Sequence, residues 1–308
     1  MQNRLEDYDV QVLLATYNGA KFLQEFLFSL QNQKCVRIHL TVGDDGSEDE
    51  TLEILESFRS SFYKLTILES PRKGPAANFF YLLKNANSDY IALADQDDIW
   101  KPNHLIDSIE PLTVKSMEPK LVYSSVLEFG KGIRTHNKWP KHPREHGFES
   151  FFFQNYARGC TIVMNRKMVE ILSINRNSNL AIMHDWWIAL VAKSCGQAIF
   201  IREPHIYYRL HANNAVGNKG ATKARTIKQI FGGSWAPFTQ LLELFRIFAG
   251  EMKQDEKRKL EIVLEVLNQG TIQRIKTVSS LKMRLRDKLL DEFKVRTILV
   301  IYPIFSRN

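Results

Sequence analysis

The sequence predicts an α/β fold in which a Rossmann-like, mostly parallel sheet is flanked by helices and followed by a C-terminal helical extension. Two observations predict this fold. Short apolar runs alternate with segments whose apolar residues recur at helical spacing, which is typical of βαβ units. In addition, acidic and polar residues directly follow several of the apolar runs, at the strand ends where α/β sheets bind ligands.

The first part of the chain contains four predicted strands with helices between them. The strands are expected at residues 10–16, 37–42, 65–68 and 90–94, and the helices at 22–33, 52–58 and 75–85. Ser47 is the predicted N-cap of the second helix, because its hydroxyl can accept a backbone hydrogen bond at a helix start. Further along, residues 121–129, 159–165 and 199–201 have strand character, and a helix is expected over 185–193.

Basic residues are concentrated near the C-terminus. Residues 1–215 carry 24 Lys and Arg against 25 Asp and Glu, whereas residues 216–308 carry 18 against 9. We therefore predict an α/β domain over 1–215 and a basic helical extension over 216–308. The near-neutral body argues against nucleic-acid binding, and neither a stacking platform nor a groove-reading motif accompanies the basic residues, so no nucleic-acid partner is expected.

The spacing of the cysteines and the lengths of the apolar runs indicate the cellular compartment of the protein. Cys35, Cys160 and Cys195 form an odd set at wide spacing, which fits neither a disulfide framework nor a zinc site. The N-terminal residues contain no apolar signal region, and no apolar run approaches the length that spans a bilayer. We expect a cytoplasmic protein.

The last stretch, residues 281–305, interleaves basic with apolar residues. This pattern is typical of a helix that lies on an anionic membrane face. A helix whose apolar stripe packs on the body would show the same pattern. The sequence leaves both interpretations open.

Acids follow two of the predicted strands. Asp95, Asp97 and Asp98 come directly after the apolar run YIALA, where carboxylates are costly unless they are paired or bind a cation. Mg²⁺ or Mn²⁺ takes oxygen ligands and bridges phosphates, so the cluster predicts a metal-bound diphosphate; the alternative is a solvated acidic turn. Asp45, after the second strand, would accept hydrogen bonds from a nucleobase or ribose, or would belong to an Asx turn.

Two later segments carry titratable residues. Asp185 begins a predicted helix beside aromatic residues, where a carboxylate can act as a general base; the alternative is that it caps the helix. His211 can complete a Mn²⁺ site beside carboxylates, and Arg209 can neutralise phosphate charge. A histidine in a surface loop is the alternative for His211.

In order and spacing, the segments VLLATYNG, DDGS and DQDDIW resemble those of family 2 glycosyltransferases with the GT-A fold. The resemblance covers about residues 9–215. The later segments HDWW and YRLHANN have counterparts in the branch that contains bacterial rhamnosyltransferases. His184 in front of the acid departs from the acidic pair that is commonest in the family, though not from this branch.

The resemblance implies a role for each matching residue. Asp185 would be the catalytic base, Asp97 and His211 would bind the Mn²⁺ or Mg²⁺ cofactor, and the role of Asp98 stays open. The implied nucleotide-binding residues are Ala15, Thr16, Tyr17, Asn18, Asp45, Gly46, Asn78, Asp95 and Gln96. The residues expected near the donor sugar or the acceptor are Gly159, Cys160, His184, Trp186 and Arg209.

The resemblance also implies an activity and its partners. We expect a metal-dependent, inverting transfer of a sugar from a nucleoside-diphosphate donor, with dTDP-rhamnose favoured, to a hydroxyl of a polyprenyl-linked surface glycan. The expected place of action is the inner face of the plasma membrane, reached through the C-terminal extension. The alternatives are a UDP-hexose donor, a sugar-nucleotide nucleotidyltransferase and a non-catalytic module that binds polyanions.

Overall fold

The computed structural model describes residues 7–113, 117–130, 133–139, 145–174, 181–211, 236–286 and 289–305. The chain forms two compact units. The first comprises residues 1–145, 157–174 and 197–221, and the second comprises residues 146–156, 175–196 and 222–308. The boundary predicted after residue 215 lies outside the described residues.

The first unit begins with four parallel strands in the order β3-β2-β1-β4. Its first elements are β1 (Tyr8–Thr16), α1 (Ala20–Gln31), β2 (Val36–Asp44), α2 (Thr51–Ser57), β3 (Lys64–Glu69), α3 (Pro75–Lys84) and β4 (Tyr90–Asp95). β1 is central and its Val12, Leu13 and Leu14 are fully buried, as a continuous apolar run requires in a strand covered on both faces.

The sheet is mixed beyond β4. The remaining elements of the first unit are β5 (Ile99–Trp100), α4 (His104–Ile109), β6 (Lys120–Gly130), β7 (Ile133–Trp139), β8 (Val163–Asn165), α5 (Arg166–Ile174) and β9 (Gln197–Arg209). β8 runs antiparallel between β4 and β6, whereas β6 and β9 are parallel. The short β5, which follows the acidic cluster, pairs antiparallel with the end of β9.

The register of the parallel strands aligns their carboxyl ends. Ala15 of β1 lies opposite both Gly43 of β2 and Asp95 of β4, and Thr16 lies opposite Asp44. The loops after β1, β2 and β4 therefore leave the sheet in one row, which is where an open α/β sheet binds its ligands.

Two local predictions were wrong. Ser47 does not cap α2, which begins at Thr51 without a side-chain cap; the Ser47 hydroxyl donates to Asp44 Oδ1 at 2.6 Å. The segment predicted as a strand over 159–165 is a 3₁₀ turn at Gly159–Thr161 before the three residues of β8.

The second unit is helical in its described part. It contains a 3₁₀ turn at Phe148–Phe152, followed by α6 (His184–Cys195), α7 (Ala236–Phe248), α8 (Gln254–Asn268), α9 (Thr271–Ser280) and α10 (Leu289–Phe305). Its core is aromatic: Trp187 and Phe248 are buried with ring centroids 6.1 Å apart. Among the described helices, none combines the length and the apolar character needed to cross a bilayer.

The predicted fold class is confirmed. The chain is an α/β protein with a sheet flanked by helices and a helical C-terminal part. The strands of the first ninety-five residues are parallel, as predicted, and the antiparallel pairs enter through β5, β7 and β8.

Candidate active site

Asp44, at the end of β2, holds the first acidic loop together. Its carboxylate accepts hydrogen bonds from Thr16 Oγ1 (2.8 Å), Gly46 N (3.0 Å), Ser47 N (2.8 Å) and Ser47 Oγ (2.6 Å). The side chain is buried, so these donors compensate the cost of burying its charge. The Asx-type turn thus belongs to Asp44, and not to Asp45 as the alternative interpretation supposed.

Asp45 is directed toward the loop before α3. Its Oδ2 accepts from Gly74 N at 2.8 Å and its Oδ1 accepts from the Ser70 hydroxyl, while its own N–H donates to Thr16 O at 2.9 Å. The carboxylate is half-buried. Asp45 therefore joins the ends of β1 and β3 at the same edge of the sheet, although Ser70 and Gly74 are far away in sequence.

The loop after β1 is bound to both neighbouring loops. Asn18 N donates to Ser47 Oγ at 2.9 Å, and Glu48 N donates to Asn18 Oδ1 at 2.9 Å. Gln96 lies on the other side: it accepts from Tyr17 N and donates to Tyr17 O, both at 3.0 Å. These contacts leave the Tyr17 side chain 58% exposed beside the half-buried Ala15.

Asn78 and Gly46 are two further residues that were predicted to bind the nucleotide. Asn78, on α3, is buried under β2 and donates to Gly43 O at 2.7 Å. Gly46 has φ of +89°, a conformation that glycine adopts without strain, and a Cβ there would lie 3.0 Å from the Arg72 guanidinium. Arg72, which sequence reasoning missed, therefore lies against the DDGS turn.

Asp98 is the buried acid of the second acidic loop. Its side chain is fully buried and its Oδ1 accepts from Arg209 N at 3.0 Å. Burial, together with the charge of neighbouring Asp97, raises the pKa of the Asp98 carboxyl above its usual range. A solvated acidic turn is therefore excluded for this cluster.

Asp97 contacts the end of β9. The Nε2 atom of His211 lies 2.5 Å from Asp97 Oδ2, and Arg209 Nε donates to Asp97 O at 2.9 Å. The side chains of Asp97 and His211 are 16% and 20% exposed, so His211 is not a free surface histidine. The structure thus brings together the two residues that were predicted to bind the cation.

Arg209 connects α1 to the acidic loop. Its guanidinium forms a 2.6 Å ion pair with Glu25 and lies 4.6 Å from the ring centroids of both Phe22 and Phe129. Because the charge is already paired and covered by aromatic rings, the observed contacts of Arg209 position the Asp97 loop.

Arg158 is a second cation, in the segment that was expected to line the acceptor side of the site. It pairs with Glu128 at 2.7 Å and lies 4.1 Å from the Tyr208 ring centroid. The next residues, Gly159 and Cys160, are buried in the 3₁₀ turn, and burial raises the pKa of the Cys160 thiol. A protonated, buried thiol fits the packing role expected of Cys160.

The predicted base belongs to the second unit. Asp185 lies in the first turn of α6, where its Oδ1 accepts from Trp186 N at 2.7 Å; the N-cap is Met183, so Asp185 does not cap the helix. Trp186 Nε1 donates to Phe151 O at 2.6 Å. His184 is buried, and burial lowers its pKa to about 3, so its imidazole is neutral.

The acidic loop fits a hard divalent cation. Oxygens of Asp95 and Asp98 and the sulfur of Cys160 lie within 4.8 Å of one another, and the carboxylate of Asp97 is in the same loop. Asp98 Oδ2 is buried and, among the residues that the structure describes, has no partner at hydrogen-bond distance. Carboxylate oxygens suit Mg²⁺ or Mn²⁺, whereas the protonated thiol of Cys160 does not.

Solved structures share this architecture. The crystal structure of Staphylococcus aureus TarS residues 1–349 matches with a TM-score of 0.57 and 16% identity, covering 97% of this chain and 82% of that one. The complex of the same fragment with UDP-GlcNAc matches with a TM-score of 0.56 and 15% identity over 96% and 91%. A crystal structure of a longer TarS chain also matches, and the present chain covers 50% of it. The fold is thus that of the GT-A glycosyltransferases.

Comparison with known sequences identifies the glycosyltransferase family. Residues 11–170 match the family described as Glycosyl transferase family 2. The dTDP-rhamnosyl transferase RfbG of Shigella flexneri is 35% identical over 225 residues, which are 69% of this chain and 76% of RfbG. EpsH of Bacillus subtilis, a putative glycosyltransferase by its description, is 22% identical over 69% of this chain and 64% of EpsH. The chain belongs to glycosyl transferase family 2.

Proposed function

We propose that this glycosyltransferase moves L-rhamnose from dTDP-rhamnose to a hydroxyl of a lipid-linked surface polysaccharide precursor, with inversion at the anomeric carbon. The observation that carries the proposal is the meeting of three loops, after β1, β2 and β4, at one edge of the sheet in a family 2 chain. The 35% identity to a dTDP-rhamnosyl transferase supports the choice of donor.

The first unit binds the donor in this proposal. Asp45 receives the base, with Thr16 and Tyr17 beside it, and Asp95 lies near the ribose. Asp97 and His211 would hold the divalent cation, which would supply positive charge that stabilises the leaving diphosphate. The contact between these two residues supports this role, because it brings a carboxylate of the acidic loop and an imidazole from the end of β9 together.

The second unit activates the acceptor. Asp185 accepts the proton of the incoming hydroxyl while that oxygen attacks the anomeric carbon and the nucleoside diphosphate departs on the opposite side. Two features support a carboxylate base here. Asp185 does not serve as the helix cap, and the neighbouring His184 is neutral, so it does not lower the basicity of Asp185 through a positive charge.

The acceptor is a polyprenyl-linked glycan such as an O-antigen, capsule or rhamnose-rich wall precursor. Such a substrate places the enzyme at the cytoplasmic face of the plasma membrane. The excess of basic residues after residue 215 supports this location, because the cytoplasmic surface of a bacterial membrane is anionic.

The test is transfer from a panel of sugar nucleotides. The purified chain is incubated with Mn²⁺ and with dTDP-rhamnose, UDP-glucose or UDP-GlcNAc. The released nucleoside diphosphate is measured with and without membrane extracts that contain lipid-linked glycans. Of the three donors, we expect only dTDP-rhamnose to release its nucleoside diphosphate, dTDP. The extract should stimulate this release and EDTA should abolish it. Preference for a UDP donor would refute the choice of donor. In a separate reaction with a nucleoside triphosphate and a sugar 1-phosphate, release of pyrophosphate with formation of a sugar nucleotide would identify a nucleotidyltransferase.

A further inference from the structure

Three large apolar side chains at the start of α10 are exposed to solvent. Leu289, Leu290 and Phe293 are 79%, 76% and 71% exposed. A single exposed leucine is ordinary, but three neighbours on the first two turns of one helix form a contiguous apolar surface. Together with the basic residues Lys282, Arg284 and Lys294, described next, they form what we name the C-terminal patch.

The acids of α10 are turned inward or paired. Glu292 is 8% exposed and accepts from the backbone N–H groups of residues 285 and 286, at 2.8 and 2.6 Å, and from Arg296 Nε at 2.7 Å. Asp291 lies 3.3 Å from the ammonium of Lys294, which is itself 69% exposed. The first turns of α10 therefore present apolar surface and a lysine to solvent, and little free negative charge.

Basic residues also occur in the segment before α10, residues 281–286, which packs against that helix. Arg296 donates to the carbonyl oxygens of Leu281 and Met283, at 3.1 and 3.0 Å, and so holds this segment against α10. Lys282 and Arg284, which alternate with these residues, are exposed. Lys294 is the neighbour of Phe293 on α10, and the segment that carries Lys282 and Arg284 is held against the same helix.

We propose that the C-terminal patch docks on an anionic phospholipid bilayer, with the apolar side chains inserted between headgroups and the cations on lipid phosphates. The charge of the patch favours this partner. A second copy of the chain would bring the same cations together, and the three apolar side chains expose on the order of 400 Å², about half of what each partner buries in a stable dimer.

The test is co-sedimentation of the full chain with vesicles. Wild type is expected to pellet with vesicles of phosphatidylcholine and phosphatidylglycerol, more weakly at high salt, and not with phosphatidylcholine alone. Replacing Leu290 and Phe293 by Gln should lower the partition coefficient at least about tenfold. Replacing Lys282 and Lys294 by Gln should lower it roughly fivefold for each lysine.

A matched control is available on α9. Ile272 and Ile275 are 74% and 49% exposed. They lie toward the other end of the helix pair, because Arg274 donates to Val300 O at 2.7 Å. The pair I272Q and I275Q removes comparable apolar surface and should leave vesicle binding unchanged. All variants change exposed residues, so their thermal unfolding should match that of wild type.

Three results would overturn the proposal. They are absence of wild-type binding to anionic vesicles, equal losses in the α9 control and the patch variant, and a wild-type dimer in light scattering that becomes monomeric in the patch variant. The last result would assign the surface to a second copy. Vesicle binding needs no donor or acceptor, so failure here is distinguishable from failure of the proposed reaction, which the release of nucleoside diphosphate measures separately.

Discussion

The imidazole of His211 lies 2.5 Å from the carboxylate of Asp97, although 114 positions separate the two residues in sequence. β9 makes this contact possible, because its end pairs with β5 directly after the acidic loop. Asp97 is therefore held from both sides, by the turn that follows β4 and by the end of β9.

Replacement of His211 by Ala should impair use of the cation. If His211 and Asp97 together hold Mn²⁺, the variant needs more Mn²⁺ for half-maximal donor turnover, and kcat/KM falls roughly ten- to a hundredfold. The measurement is a Mn²⁺ titration of nucleotide release. His39→Ala is the control, since His39 also lies near an aspartate, Asp9, at 3.5 Å, but near the amino ends of the strands. Equal effects of both variants would contradict the ligand role.

Replacement of Asp185 by Asn should slow transfer strongly while leaving donor binding intact. The amide oxygen can still accept from Trp186 N, so α6 keeps its first turn. Loss of a general base lowers kcat by roughly a hundred- to ten-thousandfold. Transfer and the affinity for dTDP-rhamnose are measured separately, with Asp255→Asn, in the first turn of α8, as the control. Full transfer by the Asp185 variant would rule out its role as base.

Much of the fold could be predicted because its signals are local. The apolar run of β1 and the helical stripe of α1 specify buried elements on their own, and polar residues after each strand mark the ligand-binding edge. The parallel order follows from alternation of strands and helices. The antiparallel insertion of β8 does not, because three residues carry too little pattern to reveal their partners.

The candidate site was predictable as a set of loops and less so as a set of contacts. Ser47 has the sequence signature of a helix cap, yet its hydroxyl donates to Asp44 and accepts from the backbone N–H of Asn18. The contact with Asn18 depends on the alignment of the ends of β1 and β2, which the sequence near Ser47 does not reveal. Arg209 was expected to neutralise phosphate charge, and the sequence pattern did not reveal that its guanidinium is paired with Glu25. The roles of these residues in binding stay predictions.

Stability should fall as the pH is lowered from about 6.5. Burial lowers the pKa of both His104 and His184 to about 3, whereas an unfolded histidine titrates near 6.5. Above 6.5 neither state binds the proton; between 6.5 and 3 the unfolded state binds it and the folded state does not, so unfolding is favoured. Each histidine should remove about 2 kcal/mol of stability by pH 5.

Urea unfolding at several pH values between 7 and 5 measures this dependence. His104 packs against Trp100 with ring centroids 4.4 Å apart, so His104→Leu keeps an apolar contact and removes the titrating group. The variant should show a shallower decrease in unfolding free energy with falling pH, by about half of the histidine contribution. An unchanged slope would mean that His104 takes up its proton as easily in the folded protein as in the unfolded one.

Substitutions at Asn78 of α3 and Gly43 of β2 should have coupled effects on the free energy of unfolding. Asn78 Nδ2 donates to Gly43 O at 2.7 Å, and a Cβ added at Gly43 would lie 2.1 Å from Asn78 Oδ1. Asn78→Ala leaves a buried carbonyl without its donor and should cost about 1–3 kcal/mol. Gly43→Ala forces Asn78 out of its place and should cost about 1–3 kcal/mol as well.

In the double variant the alanine at position 78 no longer clashes with the Cβ added at position 43. The sum of the two single-variant losses should therefore exceed the loss measured for the double variant by at least about 1 kcal/mol. Urea unfolding of wild type, both single variants and the double variant gives this coupling energy. Gly250→Ala is the control, because nothing lies within 4 Å of the Cβ it would add. Strictly additive losses would show that the Gly43 effect arises in the backbone of β2 and does not pass through Asn78. Because Gly43 directly precedes the loop that Asp44 organises, a coupled result would also make Asn78 a structural support of the loop that is proposed to receive the nucleotide.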